Sequence, residues 1–315
     1  MSQASDGEPL LVVILGPTAS GKSHLGIEIA RLLEGEVVVC DSTQVYRHFD
    51  IGTAKVRACD QRGIPHHLVD LVEPDEVFTA GDYRRRAVEV LDDLKQRGKT
   101  PVLTAGTGLY LKALLEGLSE APERSEELRV RLRKAAERRG REHLHKILYR
   151  IDPAAAGKIA SADTQKVIRA IEIRFLARKA VGDVHRAGRE GLSGFSIMKI
   201  GLNPDRKALY ARIEQRTREM IASGWIDEVG GLIAAGISPD AKPFQFIGYA
   251  GIRRHLAGEV DECETIARIQ KATRQFAKRQ MTWFRREAEV HWLPGFGDDP
   301  NIIAEASHLV RLRPE

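Results

Sequence analysis

The chain has 315 residues, 43% apolar and 30% charged, with a net charge of +5. That length supports one large domain or two modest ones around a real core, no apolar run reaches the length of a membrane span, and three scattered cysteines (Cys40, Cys59, Cys263) form neither a disulfide framework nor a zinc spacing, which points to a reducing compartment. The polar, acidic start MSQASDGEP reads as a short loose tail, not a signal or transit peptide.

The apolar run at 11–15 is too short for a useful helix and rich enough in Val and Ile for a buried strand. It ends on Gly16, Pro17, Thr18, Ala19, Ser20, Gly21, Lys22 and Ser23, which fit G-x-x-x-x-G-K-[ST], the phosphate-binding loop of nucleotide-binding (ATP-binding) proteins. Leu25, Ile29, Leu32 and Leu33 then share a helical face, so the loop lies between a strand and a helix. Unpaired N–H groups at that helix start face an anion, Lys22 can reach terminal phosphates, and the Ser23 hydroxyl can ligate magnesium. A second strand at 36–40 ends at Asp41, a helix spans 83–96, and a third strand covers 101–104. Strands alternating with helices predict an α/β core with a parallel sheet, helices on both faces, and ligands at the carboxyl ends of the strands. Asp41 stands at such an end, as a general base, a helix cap or a holder of magnesium-bound water. The third strand offers no acid, which weakens an ATPase reading and leaves room for diphosphate as a leaving group.

A further helix is expected at 109–118. From 123 to 190 the pattern is helical throughout, with a Gly-rich loop at 182–194, and 195–200 returns to the sheet. This divides the chain into a core (1–122), a helical insertion (123–190) and a mostly helical second part of the core (191–315). Ile269, Phe276 and Trp283 recur every seven residues as the expected buried stripe of a long helix; a strand follows at 289–293 and a helix at 301–311. His66 and His67 read as structural, as do Trp225 and Phe244, with Phe246 the best candidate to stack on a base. The charge is uneven: residues 268–286 hold seven Lys/Arg and no acid, and 124–150 hold ten Lys/Arg against four Glu. Basic runs of this size suggest a polyanionic partner, against the alternative of solvated helix faces.

The sequence resembles the tRNA dimethylallyltransferases (tRNA isopentenyltransferases), the bacterial branch in particular. The blocks that carry the resemblance are the phosphate loop, Asp41-Ser42-Thr43-Gln44-Val45-Tyr46, Asp50-Ile51-Gly52-Thr53-Ala54-Lys55, Pro65-His66-His67-Leu68-Val69-Asp70, Gly106-Thr107-Gly108-Leu109-Tyr110, Arg169-Ala170-Ile171-Glu172, Gln245-Phe246-Ile247-Gly248-Tyr249 and the run from Thr273 to Arg285. Ala105 and Val56 depart from the family pattern, where Gly and Pro are usual. The resemblance implies transfer of a dimethylallyl group from dimethylallyl diphosphate to the exocyclic amine of the adenine 3′ of the anticodon, with Mg2+, by a monomeric cytoplasmic enzyme that touches no membrane. It implies catalytic roles for Asp41, Thr107, Lys22 and Arg216. It further implies that Ser42, Thr43 and Gln44 read the flipped base. Contacts with the tRNA anticodon stem-loop are implied for Arg129, for Gln165, Lys166, Val167, Ile168 and Arg169, for Gln245, Phe246, Ile247, Gly248 and Tyr249, and for Lys278, Arg279, Gln280, Trp283 and Arg285. Three rivals remain at the sequence level: a small-molecule kinase, a nucleotide-gated RNA-binding module, and an isopentenyltransferase acting on free adenine nucleotides.

Overall fold

The computed structural model describes residues 7–119, 121–186 and 190–312, so the N-terminal tail expected at the very start lies largely outside the described residues. In chain order the elements are β1 (Leu10–Leu15), α1 (Lys22–Leu32), β2 (Glu36–Cys40), β3 (His66–His67), α2 (Ala80–Gln96), β4 (Pro101–Ala105) and α3 (Gly108–Leu115). Then come α4 (Glu126–Arg139), α5 (Arg141–Ile151), α6 (Pro153–Ala156), α7 (Thr164–Ala177) and α8 (Val181–Arg186). The chain ends with β5 (Ser196–Leu202), α9 (Arg206–Ala222), α10 (Trp225–Ala234), α11 (Tyr249–Leu256), α12 (Glu262–Phe284), β6 (Val290–Leu293) and α13 (Pro300–Arg311). Two compact units result: one holds the chain up to Leu114 and from Leu192 on, the other spans Leu115–Gly191.

The first unit is built on a six-stranded sheet in the order β3-β2-β4-β1-β5-β6, with every neighbouring pair parallel. β1 lies inside the sheet, and all six of its residues are buried, as expected for a parallel strand covered on both faces. Val12 and Ile14 pack with Val37, Val39, Val102 and Ile200 against Leu25 and Ile29 of α1 and Ile302 and Ala306 of α13. α2 packs on β2 and β4 through Tyr83, Ala87, Leu91 and Leu94, its start fixed by a reciprocal cap between Thr79 and Asp82. β3 is a two-residue edge strand that periodicity does not reveal, so the third strand of the sequence reading is β4. At that edge Arg97 grips Glu36 with two hydrogen bonds (2.6 and 3.1 Å) and His67 Nε2 lies 2.6 Å from the same carboxylate; Arg97 above all holds Glu36 down at about 2.

The second unit is all helical around Leu144, Leu148, Val167, Ile168 and Ile171. It begins before residue 123 because the irregular stretch ahead of α4 belongs to it: Ala121 packs on its core, and the Pro122 carbonyl accepts from Arg169 (2.9 Å). Residues 182–186 of the expected 182–194 loop instead belong to α8, and residues 187–189 of that loop lie outside the described residues. Among the described residues no helix is long and apolar enough to cross a membrane.

Candidate active site

The loops after β1, β2 and β4 meet at the carboxyl edge of the sheet. After β1 the chain turns through Ala19 and Gly21, both at positive φ (64° and 87°), which aims the start of α1 back across the loop. Gly21 is also pressed against residue 297, where a Cβ would lie 2.7 Å from the Gly297 nitrogen, so only glycine fits. Lys22 donates to the Pro17 carbonyl (2.8 Å). Burial, with a smaller push from Arg216 and against the pull of Asp41, brings its ammonium down to about 8.

Asp41 follows directly from β2. One carboxylate oxygen accepts from the Thr43 amide (2.8 Å) and the Thr43 hydroxyl (2.6 Å), which fixes its rotamer. The other, Oδ2, lies over Gly106, where a Cβ would come within 2.5 Å of it, and takes no hydrogen bond from any described residue. The Thr107 hydroxyl accepts from the Ser42 amide (2.9 Å) and donates to the Ser42 hydroxyl (3.2 Å), so it ties the β2 and β4 loops together. Gln44 turns its Nε2 toward the Thr53 and Ala54 carbonyls (3.0 and 3.3 Å).

Two chambers meet at this edge and share Thr18, Ala19, Asp41, Thr53, Ala54, Arg216 and Phe276. The first, about 250 Å³, is polar and holds Gly21, Lys22, Ser23, His24, Gln44, His66, Arg212 and Gln280. The second, about 330 Å³, is largely apolar, with Ile213, Met220, Trp225, Phe246, Ile247 and Ile269, and it also reaches Gln245, Thr273 and Arg279. Arg216 projects from α9 between them. No acid of the described residues pairs with it, and burial together with neighbouring Arg212 lowers its pKa. Arg212 itself is held by Asp298 (2.7 and 2.5 Å). A half-buried guanidinium and an ammonium beside a helix start, with Asp41 the only carboxylate of the described residues lining either chamber, make a site for a polyanion next to one free carboxylate oxygen.

The structure therefore brings together Asp41, Ser42, Thr43, Gln44, Thr107, Lys22, Ser23 and Arg216 with the loop from Gly16 to Gly21, and sets Gln245, Phe246, Ile247 and Arg279 around the second chamber. Lys278 on α12 and Arg285 just past its end are exposed, as are Gln165 and Lys166 on α7.

Several residues expected to touch RNA have no side chain to offer it. Arg129 is 4% exposed, with its guanidinium forked onto Glu172 (2.8 and 2.8 Å). Val167 and Ile168 are core residues of the second unit, and Tyr249 is fully buried behind Gly248. Gln280 is buried too: its Oε1 accepts from the Thr18 amide (2.8 Å) and its Nε2 donates to the Gly106 carbonyl (2.7 Å), so α12 joins the phosphate loop to the Asp41 edge. Its place among Ala277 and Phe284 on one helical face, a polar group in an apolar stripe, was the available signal. The expected stripe itself drifts. Ile269 is buried, Phe276 faces the chambers, and Trp283 is exposed against Gly108, because a seven-residue step falls about 20° short of two helical turns. Trp225 and Phe244 are core, and Phe246 stands edge-on to Tyr46. His66 binds the Ile64 carbonyl through Nδ1 (2.8 Å) and lines the first chamber, a position sequence alone did not suggest.

Comparison with known proteins agrees with this geometry. The family model of IPP transferases matches residues 44–287. A tRNA dimethylallyltransferase of Koribacter versatilis is 49% identical over 304 residues, covering 96% of this chain and 99% of the relative, and one from Solibacter usitatus is 48% identical over 300 residues, covering 95% and 97%. The crystal structure of a full-length tRNA isopentenylpyrophosphate transferase from Bacillus halodurans superposes with a TM-score of 0.71 at 37% identity, covering 97% of this chain and 96% of that one. A eukaryotic dimethylallyltransferase solved while acting on tRNA shares the fold at 24% identity with a TM-score of 0.81, covering 97% and 80%. The sheet, the phosphate loop and the carboxylate beside it thus sit in a chain that belongs to the IPP transferase family, the tRNA dimethylallyltransferases.

Proposed function

We propose that this protein transfers a dimethylallyl group from dimethylallyl diphosphate to N6 of the adenine 3′ of the anticodon in tRNA, releasing diphosphate. The observation that carries this reading is the junction of a cationic and an apolar chamber at Asp41. The diphosphate binds in the first chamber against Lys22, Arg216 and the amides at the start of α1, which stabilise its charge as the allylic C–O bond breaks. The acceptor base enters by the second chamber, beside Gln245, Phe246 and Ile247. An adenine amine is a weak nucleophile. Asp41 Oδ2 accepts its proton as nitrogen bonds to the allylic carbon, and the electron pair of the broken C–O bond leaves on diphosphate. Thr107 acts by holding Ser42, and so the turn that carries Asp41, in place.

Among the described residues no cluster of three or more His, Cys, Asp or Glu forms a cage for a metal. The exposed Ser23 hydroxyl in the first chamber is the group that would hold Mg2+. That ion would add positive charge at the leaving group. The exposed basic residues of α12 and α7 serve RNA phosphates. The cysteine usage and the tRNA substrate support a cytoplasmic enzyme, acting on this reading as a monomer.

The test is incubation with dimethylallyl diphosphate and unmodified tRNA, followed by mass analysis of the digested nucleosides. An adenosine heavier by one dimethylallyl group is expected. No modified nucleoside, with phosphorylation of a small acceptor when ATP is supplied, would favour the kinase alternative instead.

A further inference from the structure

Glu228, on α10, lines neither chamber, yet it controls the wall they share. Its Oε2 accepts from two consecutive backbone amides, Asp50 (3.0 Å) and Ile51 (2.7 Å). Its Oε1 accepts from the buried Tyr249 hydroxyl (2.7 Å). Two successive amides of one loop are thus held by one acid, itself fixed by a buried phenol. Turns within the loop add the Ala54 amide to the Ile51 carbonyl (3.0 Å) and the Lys55 amide to the Asp50 carbonyl (3.1 Å), and Gly52 has no space for a side chain, since a Cβ there would lie 2.3 Å from the Trp225 indole. The next two residues, Thr53 and Ala54, are the ones whose carbonyls grip Gln44 Nε2.

This grip decides what Gln44 can recognise. With both carbonyls facing it, the carboxamide must turn its NH₂ toward the loop, because the flipped amide would set oxygen against oxygen. Gln44 lines the first chamber with Asp41, and its Oε1 accepts from no described residue. The chamber then holds two unsatisfied acceptors, the amide oxygen and Asp41 Oδ2. An exocyclic amine, with two N–H groups, satisfies both; a carbonyl at the same ring position is repelled by both.

We propose that Glu228 and Tyr249 are positioning residues for base selection, which lock Gln44 as an acceptor and so make the site choose a 6-amino purine over a 6-oxo purine. The inference rests on the functional reading above. It is separable from that reading because Glu228 and Tyr249 touch neither substrate.

The experiment compares binding of two anticodon stem-loop RNAs that differ only at the acceptor position, adenosine or inosine, alongside binding of inorganic diphosphate. The wild-type protein is expected to prefer adenosine by about tenfold, one well-placed hydrogen bond's worth. In Glu228→Ala the preference is expected to fall to within about twofold, with diphosphate affinity unchanged. Tyr249→Phe removes a single hydrogen bond and is expected to lose part of the preference, which keeps the proposal open to refutation should Glu228→Ala fail to fold. Glu228→Asp, which retains the charge, is expected to recover part of it. A folded Glu228→Ala or Tyr249→Phe that keeps the full preference overturns the proposal, as does an equal loss of adenosine RNA, inosine RNA and diphosphate binding. A wild-type protein that binds neither RNA, or fails to modify tRNA, overturns the functional reading instead.

Discussion

Lys22 shows how a burial effect becomes a binding property. In the free protein its ammonium is held at about 8, so it is charged below that pH and neutral above it. Diphosphate binds the charged form. Affinity is therefore expected to be flat up to about pH 8 and then to fall by as much as tenfold per pH unit, because each binding event must take up a proton. Calorimetry across pH 7–10 reads this directly; Lys22→Arg should flatten the profile, and a wild-type profile already flat to pH 10 would contradict it. Arg216 carries no such dependence, since guanidinium stays charged. Arg216→Met is expected to weaken diphosphate binding by about tenfold or more while leaving RNA affinity nearly intact. Lys22 and Asp41 were legible in the sequence because local spacing fixes them, one in a loop motif and one at a strand end. Gln280 was not, because its partners, Thr18 and Gly106, are more than 170 residues away and no local pattern names them.

At the level of elements, α12 has two jobs on two faces. Its outer face presents Lys278, with Arg285 exposed just past its end, and its inner face clamps the phosphate loop through Gln280. Gln280→Leu leaves an amide and a carbonyl without partners and is expected to cost about 1–3 kcal/mol in chemical denaturation. A variant as stable as the parent would show that water replaces the clamp. In the second unit, burial would raise the Glu172 carboxyl, but Arg129, Arg169 and the Ser125 amide outweigh it and hold it at about 2. For an acid lowered on folding, the stabilisation is complete above the unfolded value near 4.5 and is lost as pH falls from there toward 2. Arg129→Met strands a fully buried carboxylate and is expected to destabilise that unit by about 3–5 kcal/mol; a neutral result in thermal denaturation would mean that Arg169 suffices. The family resemblance assigned Arg129 to tRNA, and only the long-range partner Glu172 reveals a core ion pair.

Across the whole molecule, the order of strands and helices was readable from hydrophobic periodicity, and with it the carboxyl edge where ligands collect. What periodicity missed was short or shared: a two-residue edge strand, the true start of the second unit, and chambers assembled from α9 and α12 against loops near the other end of the chain. The same distribution of charge predicts a contrast in salt dependence. RNA binding spread over exposed Lys and Arg releases many counterions, so its affinity should fall steeply between about 50 and 200 mM salt, whereas diphosphate in a half-buried chamber should weaken far less. Equal slopes would count against the RNA surface. The central claim is that Asp41, where the two chambers meet, takes the proton from the acceptor amine. Single-turnover prenyl transfer by Asp41→Asn, at saturating tRNA and dimethylallyl diphosphate, tests it most directly. The account predicts a rate lower by about 10²–10⁴ with both substrates still bound; transfer at the parent rate would contradict it.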